Sequence, residues 1–354
     1  MNLFIRATGN ISPQATFGND SFPMEIIAYT GNRLNCIEPD YREWIDVKLI
    51  RRMSRIIKMG VASAMQCLKE SGTAVPDAII TGTAYGCLED TGIFLSRMVE
   101  QQEQFLAPTA FIQSTHNTVG AQVALLLQCN GYNNVFVHRN FSFEHALLDA
   151  SMLVGENDAK NVLVGGLDEI TDYSHAILNR IGSYRRSDVI STNLYQDKTK
   201  GTIAGEGAAF FLVNNTTSEN NVACINGVNT FYRPADINET EDRILTFLET
   251  HGLLPTDIDL LISGRNGDMR SDMVYDQLDT TVFKNIQAVP YKHLCGEYPT
   301  SSAFALWLAV NIIRTQRIPG EMDSNTSQRK KFNKILVYNQ SHNTHHSLLL
   351  ISAC

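Results

Sequence analysis

The chain has 354 residues, 44% hydrophobic and 19% charged, a composition typical of a soluble globular protein of one large or two fused domains. Its formal net charge of −8 argues against nucleic-acid binding, and no apolar run reaches the roughly 18 residues of a membrane-spanning helix. Seven cysteines without a CxxC pair argue against a disulfide framework or a zinc site, so we expect a protein of the reducing cytoplasm.

Short runs rich in valine and isoleucine alternate with helical periodicity along the chain, which indicates α/β layers with mainly parallel, buried strands. In chain order, strands are predicted at residues 3–6, 78–81, 135–137, 162–164, 208–213, 260–262, 335–338 and 348–351. Apolar residues at steps of three and four predict helices at residues 54–71, 119–128, 145–154 and 301–313.

The arrangement of these elements is repeated along the chain. Strand–helix–strand units run to about residue 215, and the polar segment NNTTSENN (214–221) follows. The same kind of unit then recurs and ends in two adjacent strands. We therefore predict two similar halves, residues 1–215 and 216–354, joined by a linker.

Six motifs then follow one another in a fixed order. They are RRMSRIIKMGVASAMQCLKESG (51–72), THNTVGAQVALLLQCNGYNNVFV (115–137), NVLVGGLDE (161–169), DKTKGTIAGEGAAFFLVNN (197–215), VPYKHLCGEYPTSSAFALWLA (289–309) and ILVYNQSHNTHHSLLLISA (335–353). In this order they resemble segments of the β-ketoacyl synthases, including a G-x-x-x-G-E-G-A strand with Gly201, Gly205 and Glu206 in place. The resemblance implies a thiolase-like fold, in which two helix-covered five-stranded sheets form a five-layer α/β/α/β/α sandwich, usually as a dimer.

The resemblance also implies which positions carry chemistry. In the family, a cysteine at a strand–helix turn takes an acyl group, two histidines bind a malonyl thioester, and two backbone N–H groups form an oxyanion hole. Carried over residue by residue, the cysteine position is Asn140, and the histidine positions are Asn266 and Glu297. The glycine-rich turn of the oxyanion hole is replaced by SHNTHH (341–346), whereas the family lysine is retained as Lys292.

The joint loss of these groups predicts that the chain does not perform condensation. A carboxylate at Glu297 would repel the malonyl carboxylate and would offer an acceptor where a donor is needed, which also argues against a decarboxylase role. We interpret Glu297 as one partner of a structural ion pair with Lys292 or with an arginine such as Arg139.

Two side chains could supply a different nucleophile. Ser142 lies two residues beyond Asn140, with His145 in reach one helical turn further on, and Cys295 lies in the same motif as the retained lysine. The favoured interpretation is that Ser142 caps the helix that follows and that Cys295 is a buried, inert thiol.

Three histidines near the end of the sequence, His342, His345 and His346, resemble a metal cluster only in their composition. They have no acidic or cysteine partner at the spacing of metal ligands. We therefore expect neither a metal site nor another cofactor.

The leading hypothesis is a non-catalytic β-ketoacyl synthase-like subunit of the chain-length-factor type, in type II polyketide, aryl-polyene or fatty-acid-like synthesis. An active ketosynthase subunit would be its partner, and Phe141 and Phe143 would shape the acyl tunnel near the dimer interface. Core packing explains these two rings equally well. Arg51, Arg52 and Arg55 would dock an acidic acyl carrier protein, with a solvated helix face as the alternative.

Two other functions stay open at this point. One is an acyl-thioester transferase or hydrolase with altered chemistry, using Ser142 with His145 or Cys295 with Glu297. The other is a homodimer that only binds acyl chains or carrier protein. Neither hypothesis calls for a nucleic-acid or membrane partner.

Overall fold

The computed structural model describes residues 2–19, 21–23, 25–322 and 331–354. Its strands are β1 (Leu3–Ile11), β2 (Thr30–Gly31), β3 (Ala78–Gly82), β4 (Tyr132–Phe136), β5 (Val162–Asp168), β6 (Val189–Ile190), β7 (Gly207–Asn214), β8 (Ala223–Tyr232), β9 (Leu260–Ser263), β10 (Ala288–Pro290), β11 (Lys334–Ser341) and β12 (His345–Ser352). Its helices are α1 (Val47–Ile50), α2 (Arg55–Ser71), α3 (Leu88–Glu100), α4 (Pro108–Gln113), α5 (Thr118–Leu127), α6 (Ser142–Glu156), α7 (Asp172–Arg180), α8 (Ile237–Thr250), α9 (Met269–Leu278), α10 (Lys292–Cys295) and α11 (Ser302–Thr315). Among these described helices, none is long and apolar enough to cross a membrane.

The strands repeat one topology. Ten of them follow the order β10-β9-β11-β12-β8-β1-β7-β5-β3-β4. The first half contributes β1, β3, β4, β5 and β7 to this order, and the second half contributes β8 to β12. If the strands of each set are numbered 1 to 5 along the chain, both sets have the order 3-2-4-5-1 from the outer edge of the sheet inward. In each set the fifth strand is antiparallel to both of its neighbours. The two sets meet where β1 pairs with β8 over residues 3–5, and the segment 215–222 connects them in sequence.

Helices cover both sets of strands and separate them. α2 and α5 pack on the outer face of the first set, α8 and α9 on the outer face of the second, and α6 and α11 lie between the two. Neighbouring residues of a strand therefore serve different cores, as Phe210 faces the outer layer and Phe211 the middle layer. This arrangement confirms the predicted five-layer α/β/α/β/α sandwich.

The middle layer explains one feature of the sequence. In α11 every residue from Ser302 to Ile313 is buried, because strands contact the helix on two sides. A surface helix would carry a polar face instead. The same layer holds α6.

All the predicted strands and helices are present, with boundaries shifted by a few residues. The prediction missed β8, the long strand with which the second half begins. Asn226, Gly227 and Asn229 interrupt the apolar pattern of this strand, since several of its residues are only half-buried. Helix α6 also begins at Ser142, three residues earlier than predicted.

Candidate functional site

The turn between β4 and α6 passes from strand to helix in residues 137–141. Arg139 adopts a left-handed backbone conformation, with φ of 47°, which is uncommon for a residue with a Cβ. The hydroxyl of Ser142 fixes this turn, because its Oγ accepts the N–H of His138 at 2.9 Å and donates to the carbonyl of Arg139 at 2.8 Å. Asn140 is thereby presented at the start of the helix.

The prediction that Ser142 caps α6 is wrong. Ser142 is the first residue of the helix, its N-cap is Phe141, and this N-cap residue makes no side-chain capping hydrogen bond. The hydroxyl faces back along the chain and its proton is engaged by a carbonyl. The ring of His145, proposed as its base, stacks on the ring of His138 with centroids 4.9 Å apart.

The turn between β10 and α11 brings three of the predicted positions together. The side chain of Lys292 is fully buried, and its Nζ donates to Glu297 Oε1 at 2.8 Å and to Ser301 Oγ at 2.5 Å. The second carboxylate oxygen of Glu297, a side chain that is 21% exposed, accepts from Asn266 Nδ2 at 2.8 Å. The ion pair with Lys292 is therefore the one that forms, and it extends to Asn266 through a charge-assisted hydrogen bond.

The loop that carries Asn266 is held by the first turn of α9. The backbone N–H groups of Asn266 and Gly267 donate to the two carboxylate oxygens of Asp272, at 3.0 and 2.9 Å. Burial raises the pKa of Asp272 to about 6 in spite of these bonds. Gly267 has φ of 79°, a conformation that glycine adopts without strain.

The hairpin turn between β11 and β12 forms another wall. His342 and Asn343 both have φ of 53°, and the N–H of Thr344 donates to the carbonyl of Ser341 at 3.0 Å, as in a type I′ turn. Gln340 adds a side-chain bond by accepting the N–H of Asn343 at 2.8 Å. The turn is compact although it contains no glycine.

These segments enclose a pocket of about 340 Å³. Asn140, Asn266, Glu297 and His342 all line it. Much of the remaining wall consists of side chains with hydroxyl groups: Tyr85, Ser174, Ser183, Tyr184, Thr202 and Ser271. The pocket thus offers hydrogen bonds over much of its surface.

Asp168, at the end of β5, is a pocket residue that was not predicted from the sequence. Its buried carboxylate accepts hydrogen bonds from the Thr83 hydroxyl at 3.0 Å, the Ala84 N–H at 2.9 Å and the Thr300 hydroxyl at 2.8 Å. Burial raises the pKa of Asp168 to about 6. The side chain ties together three segments of the pocket wall, and its only sequence signal was the acidic end of the strand motif NVLVGGLDE.

The G-E-G motif joins the two halves beneath the pocket. A Cβ on Gly205 would lie 2.0 Å from the carbonyl oxygen of Cys295, so only glycine allows this approach. The next residue, Glu206, is fully buried and accepts from two nitrogens of Arg55, each at 2.6 Å, and from the N–H of Ile170 at 3.0 Å. The motif therefore has a structural role at the junction.

Residues 36–181 match the family model described as "Beta-ketoacyl synthase, N-terminal domain". This part of the chain is similar to the N-terminal domain of β-ketoacyl synthases. Among curated proteins, none matches its sequence.

Solved ketosynthase structures share the fold of the whole chain. "The ishigamide ketosynthase/chain length factor" has a TM-score of 0.81 at 16% identity and covers 100% of this chain and 99% of its own. The ketosynthase ApeO in complex with its chain length factor ApeC, from Xenorhabdus doucetiae, has 0.77 at 14%, covering 100% and 98%. AntDE:AntF, a type II PKS acyl-carrier protein in complex with its ketosynthase, has 0.73 at 15%, covering 100% and 99%.

The alternative nucleophiles of this ketosynthase-like chain lie away from its pocket. Cys295 is fully buried, and burial raises the pKa of its thiol well above the ordinary value. Its Sγ donates to the carbonyl of Gly296 at 3.3 Å. Neither Cys295 nor Ser142 belongs to the pocket wall, and a thiol that stays protonated is a poor nucleophile.

Phe141, directly before α6, and Phe143, in the first turn of α6, lie in different surroundings. Phe143 is fully buried in the middle layer, with its ring centroid 5.8 Å from that of Phe211. Phe141 is turned toward the β11–β12 hairpin, with its ring centroid 4.8 Å from that of His345. Core packing accounts for Phe143, whereas Phe141 lies close to the pocket.

The three arginines predicted to dock a carrier protein also differ. Arg51 and Arg52 are exposed at the end of α1. Arg55 is bound to buried Glu206 and, through its Nε, to Glu38 at 2.5 Å. Its guanidinium group is therefore part of the interior framework, and it is not a free surface charge.

No group of three or more histidine, cysteine, aspartate or glutamate side chains within the described part of the chain could hold a metal ion. Of the three histidines near the end of the sequence, His346 is buried and its Nδ1 lies 2.9 Å from the hydroxyl of Tyr338. His342 and His345 lie near the pocket mouth.

Proposed function

We propose that the chain is a non-catalytic ketosynthase-like subunit of the chain-length-factor type, which pairs with an active ketosynthase and helps to shape its acyl tunnel. The bonded group of Lys292, Glu297 and Asn266 carries this proposal. The Glu297 carboxylate accepts from the lysine and the asparagine, and a carboxylate offers no donor to a thioester carbonyl. These three residues therefore stabilise the pocket wall at the positions that carry the reaction in the β-ketoacyl synthases.

The open edge of the sheet supports pairing with another chain. β4 is the last strand in the sheet order, so one side of it has no strand partner among the described residues. Apolar side chains are exposed beside this edge, including Leu125 on α5 at 71%, Met152 on α6 at 61% and Val137 directly after the strand at 45%. An open edge flanked by apolar side chains is typical of a protein interface.

Helix α3 supports the same conclusion independently. None of its 13 residues is buried, although it is amphipathic and exposes Ile93, Leu95 and Val99. A helix of this kind gains most of its stability from packing of its apolar face. We infer that a partner subunit covers part of this face.

The similar structures agree with such an assembly, since they include a ketosynthase with its chain length factor and an acyl-carrier protein in complex with its ketosynthase. For this chain, the carrier protein is a further proposed partner. Arg51 and Arg52 are the two predicted docking residues that stay free to meet it.

The test is co-expression with each intact ketosynthase of the organism that encodes this chain, followed by light scattering and by a condensation assay. We expect a heterodimer that condenses acyl and malonyl thioesters, and no activity of the chain alone. Leu125→Asp at the open edge should abolish pairing, whereas Leu254→Asp, at a comparably exposed leucine in the second half, should not. Separate homodimers only, or equal effects of the two variants, would contradict the proposal.

Incubation of the isolated chain with acyl thioesters tests the alternative chemistry. We expect an unchanged protein mass, because Ser142 and Cys295 are buried and their protons are engaged. A covalent acyl adduct on either residue would establish a transferase or hydrolase instead.

A further inference from the structure

A cluster of cationic and aromatic side chains lies at the pocket mouth and plays no part in the proposed pairing or in the Lys292 network. We call it the rim patch; its members are His138, Arg139, His145, Tyr232, Arg233, His342 and His345. The turn before α6, the end of β8 and the hairpin β11–β12 contribute to it, so it spans both halves.

Ring contacts organise the rim patch. The rings of His138 and His145 are stacked, with centroids 4.9 Å apart and an interplanar angle of 15°. The ring of His345 lies edge-on to that of Tyr232 at 4.8 Å. The guanidinium group of Arg233 lies over the same tyrosine ring at 5.1 Å. The imidazoles and the arginine thus share one contiguous surface.

The cations of the rim patch have no anionic partner. Arg139 and Arg233 take part in none of the ion pairs of the described residues. Burial and the nearby cations lower the pKa of His345, and the charges that act on it are those of His138, Arg139, His342 and Arg233. Burial and His138 likewise lower the pKa of His145.

Glu144 is next to His145 in the chain, but it is fully buried, and burial raises the pKa of its carboxyl group. Three other carboxylates near the rim patch accept hydrogen bonds from groups outside it. Asp149, one helical turn beyond His145, accepts from the hydroxyl of Tyr132 at 3.0 Å. Asp236 accepts from the N–H of Glu239 at the start of α8. Glu297, inside the pocket, is bound to Lys292 and Asn266. The pocket wall also carries Asp168, Glu169 and Asp268, and none of the three forms an ion pair with Arg139 or Arg233. The positive charge of the rim patch is therefore not balanced by an ion pair within the described residues, although the net charge of the chain is −8.

We propose that the rim patch is a docking surface for an acidic segment of another protein, and that His145 and His345 take up protons when this segment binds. Arginine guanidinium groups match carboxylates, and the rings of Tyr232, which is 54% exposed, and of His345 offer apolar contacts between them. A long polyanion such as a nucleic acid is disfavoured, because the rest of the chain is acidic and would repel it.

The expected pH dependence follows from the charges. In the free chain burial, and after it the cationic neighbours, oppose protonation of His145 and His345 by lowering their pKa values, so both rings are neutral at mildly alkaline pH. A carboxylate brought to the rim patch favours their protonated forms, so binding is coupled to proton uptake. Affinity should therefore rise as the pH falls from about 8 to about 6 and should weaken with added salt.

The test uses a fluorescein-labelled peptide of alternating glutamate and phenylalanine, with fluorescence anisotropy as the readout. We expect roughly fivefold tighter binding at about pH 6 than at about pH 8. Arg139→Ala/Arg233→Ala should weaken binding at both pH values by about tenfold or more. The matched control Arg51→Ala/Arg52→Ala should leave binding unchanged.

A second variant isolates the proton uptake. His145→Gln/His345→Gln should keep the binding seen at about pH 8 and lose the gain at about pH 6. Because these imidazoles are partly buried, an NMR titration of the unaltered chain provides the same test without a substitution, and the peptide should raise the pKa of both rings. An unchanged pKa, an equal loss in the control variant, or equally tight binding of oligouridylate would overturn the proposal. None of these results depends on a ketosynthase partner.

Discussion

The turns that lead into α6 and α11 occupy equivalent places in the two halves, but they handle charge in opposite ways. The turn at 137–141 is short and exposes the unpaired cation of Arg139. The turn at 291–301 is longer and buries Lys292 completely against Glu297. The repeated strand order of the two halves therefore determines where each turn lies, whereas the burial of a turn determines whether its charged side chains need partners.

The largest effect should come from breaking the buried pair. Lys292→Met leaves the Glu297 carboxylate without its cation and should lower the free energy of unfolding by about 3 to 5 kcal/mol, measured by urea denaturation. The matched control is Lys284→Met at an exposed lysine, which should change stability by less than about 0.5 kcal/mol.

The double variant Lys292→Met/Glu297→Leu sharpens this result. It removes both charges and should recover most of the lost stability, because a neutral pair carries no desolvation cost. A single variant as stable as the unaltered chain would show that the pair is dispensable.

An intermediate effect should appear in the pH dependence of stability. Burial raises the pKa of Asp168 from an ordinary 3.8 to about 6, so the folded chain binds this proton more tightly than the unfolded chain. Stability contributed by Asp168 is then greatest at or below about pH 4 and declines as the pH rises toward 6, by up to about 3 kcal/mol.

Asp168→Asn removes this titration while keeping the size of the side chain. The stability advantage of the unaltered chain over this variant should shrink between about pH 4 and pH 6, as measured by denaturation at each pH. A constant difference across this range would show that the proton is not bound at Asp168.

The smallest effect should come from the exposed turn. Arg139→Gly accommodates the left-handed conformation without a Cβ, whereas Arg139→Ala removes the same charge and keeps the strain. We expect the glycine variant to be more stable than the alanine variant by about 1 kcal/mol in thermal or urea unfolding. Equal stabilities would indicate that the turn imposes no strain at this residue.

The sequence predicted the fold because each half repeats a strong apolar pattern, and its motifs pointed to the positions that meet in the pocket. It also pointed to an ion pair of Glu297 but left two partners open, since Lys292 and Arg139 were both available. In the structure the fully buried Lys292 is the partner of Glu297. The strand β8 was missed because glycine and asparagine residues are tolerated on a half-buried strand.

The roles that sequence could not give depend on contacts between distant segments. Arg55 was interpreted as a surface cation because its partner Glu206 lies 151 residues away. Ser142 was interpreted as a cap because serine is common at helix starts, yet its hydroxyl turned to the preceding residues. In both cases the residue type indicated a charged or hydrogen-bonding role, but the sequence did not predict which partner the side chain contacts.

The first strand of the sheet has a consequence for how the chain is made. Ile5 in β1 pairs with Val213 in β7 and with Ala223 in β8, so both neighbours of β1 lie roughly 200 residues later. During synthesis the backbone groups of β1 stay unpaired until these later strands emerge from the ribosome. Pairing between strands so far apart in sequence slows folding. This topology therefore leaves β1 exposed to incorrect strand pairing for a period during synthesis.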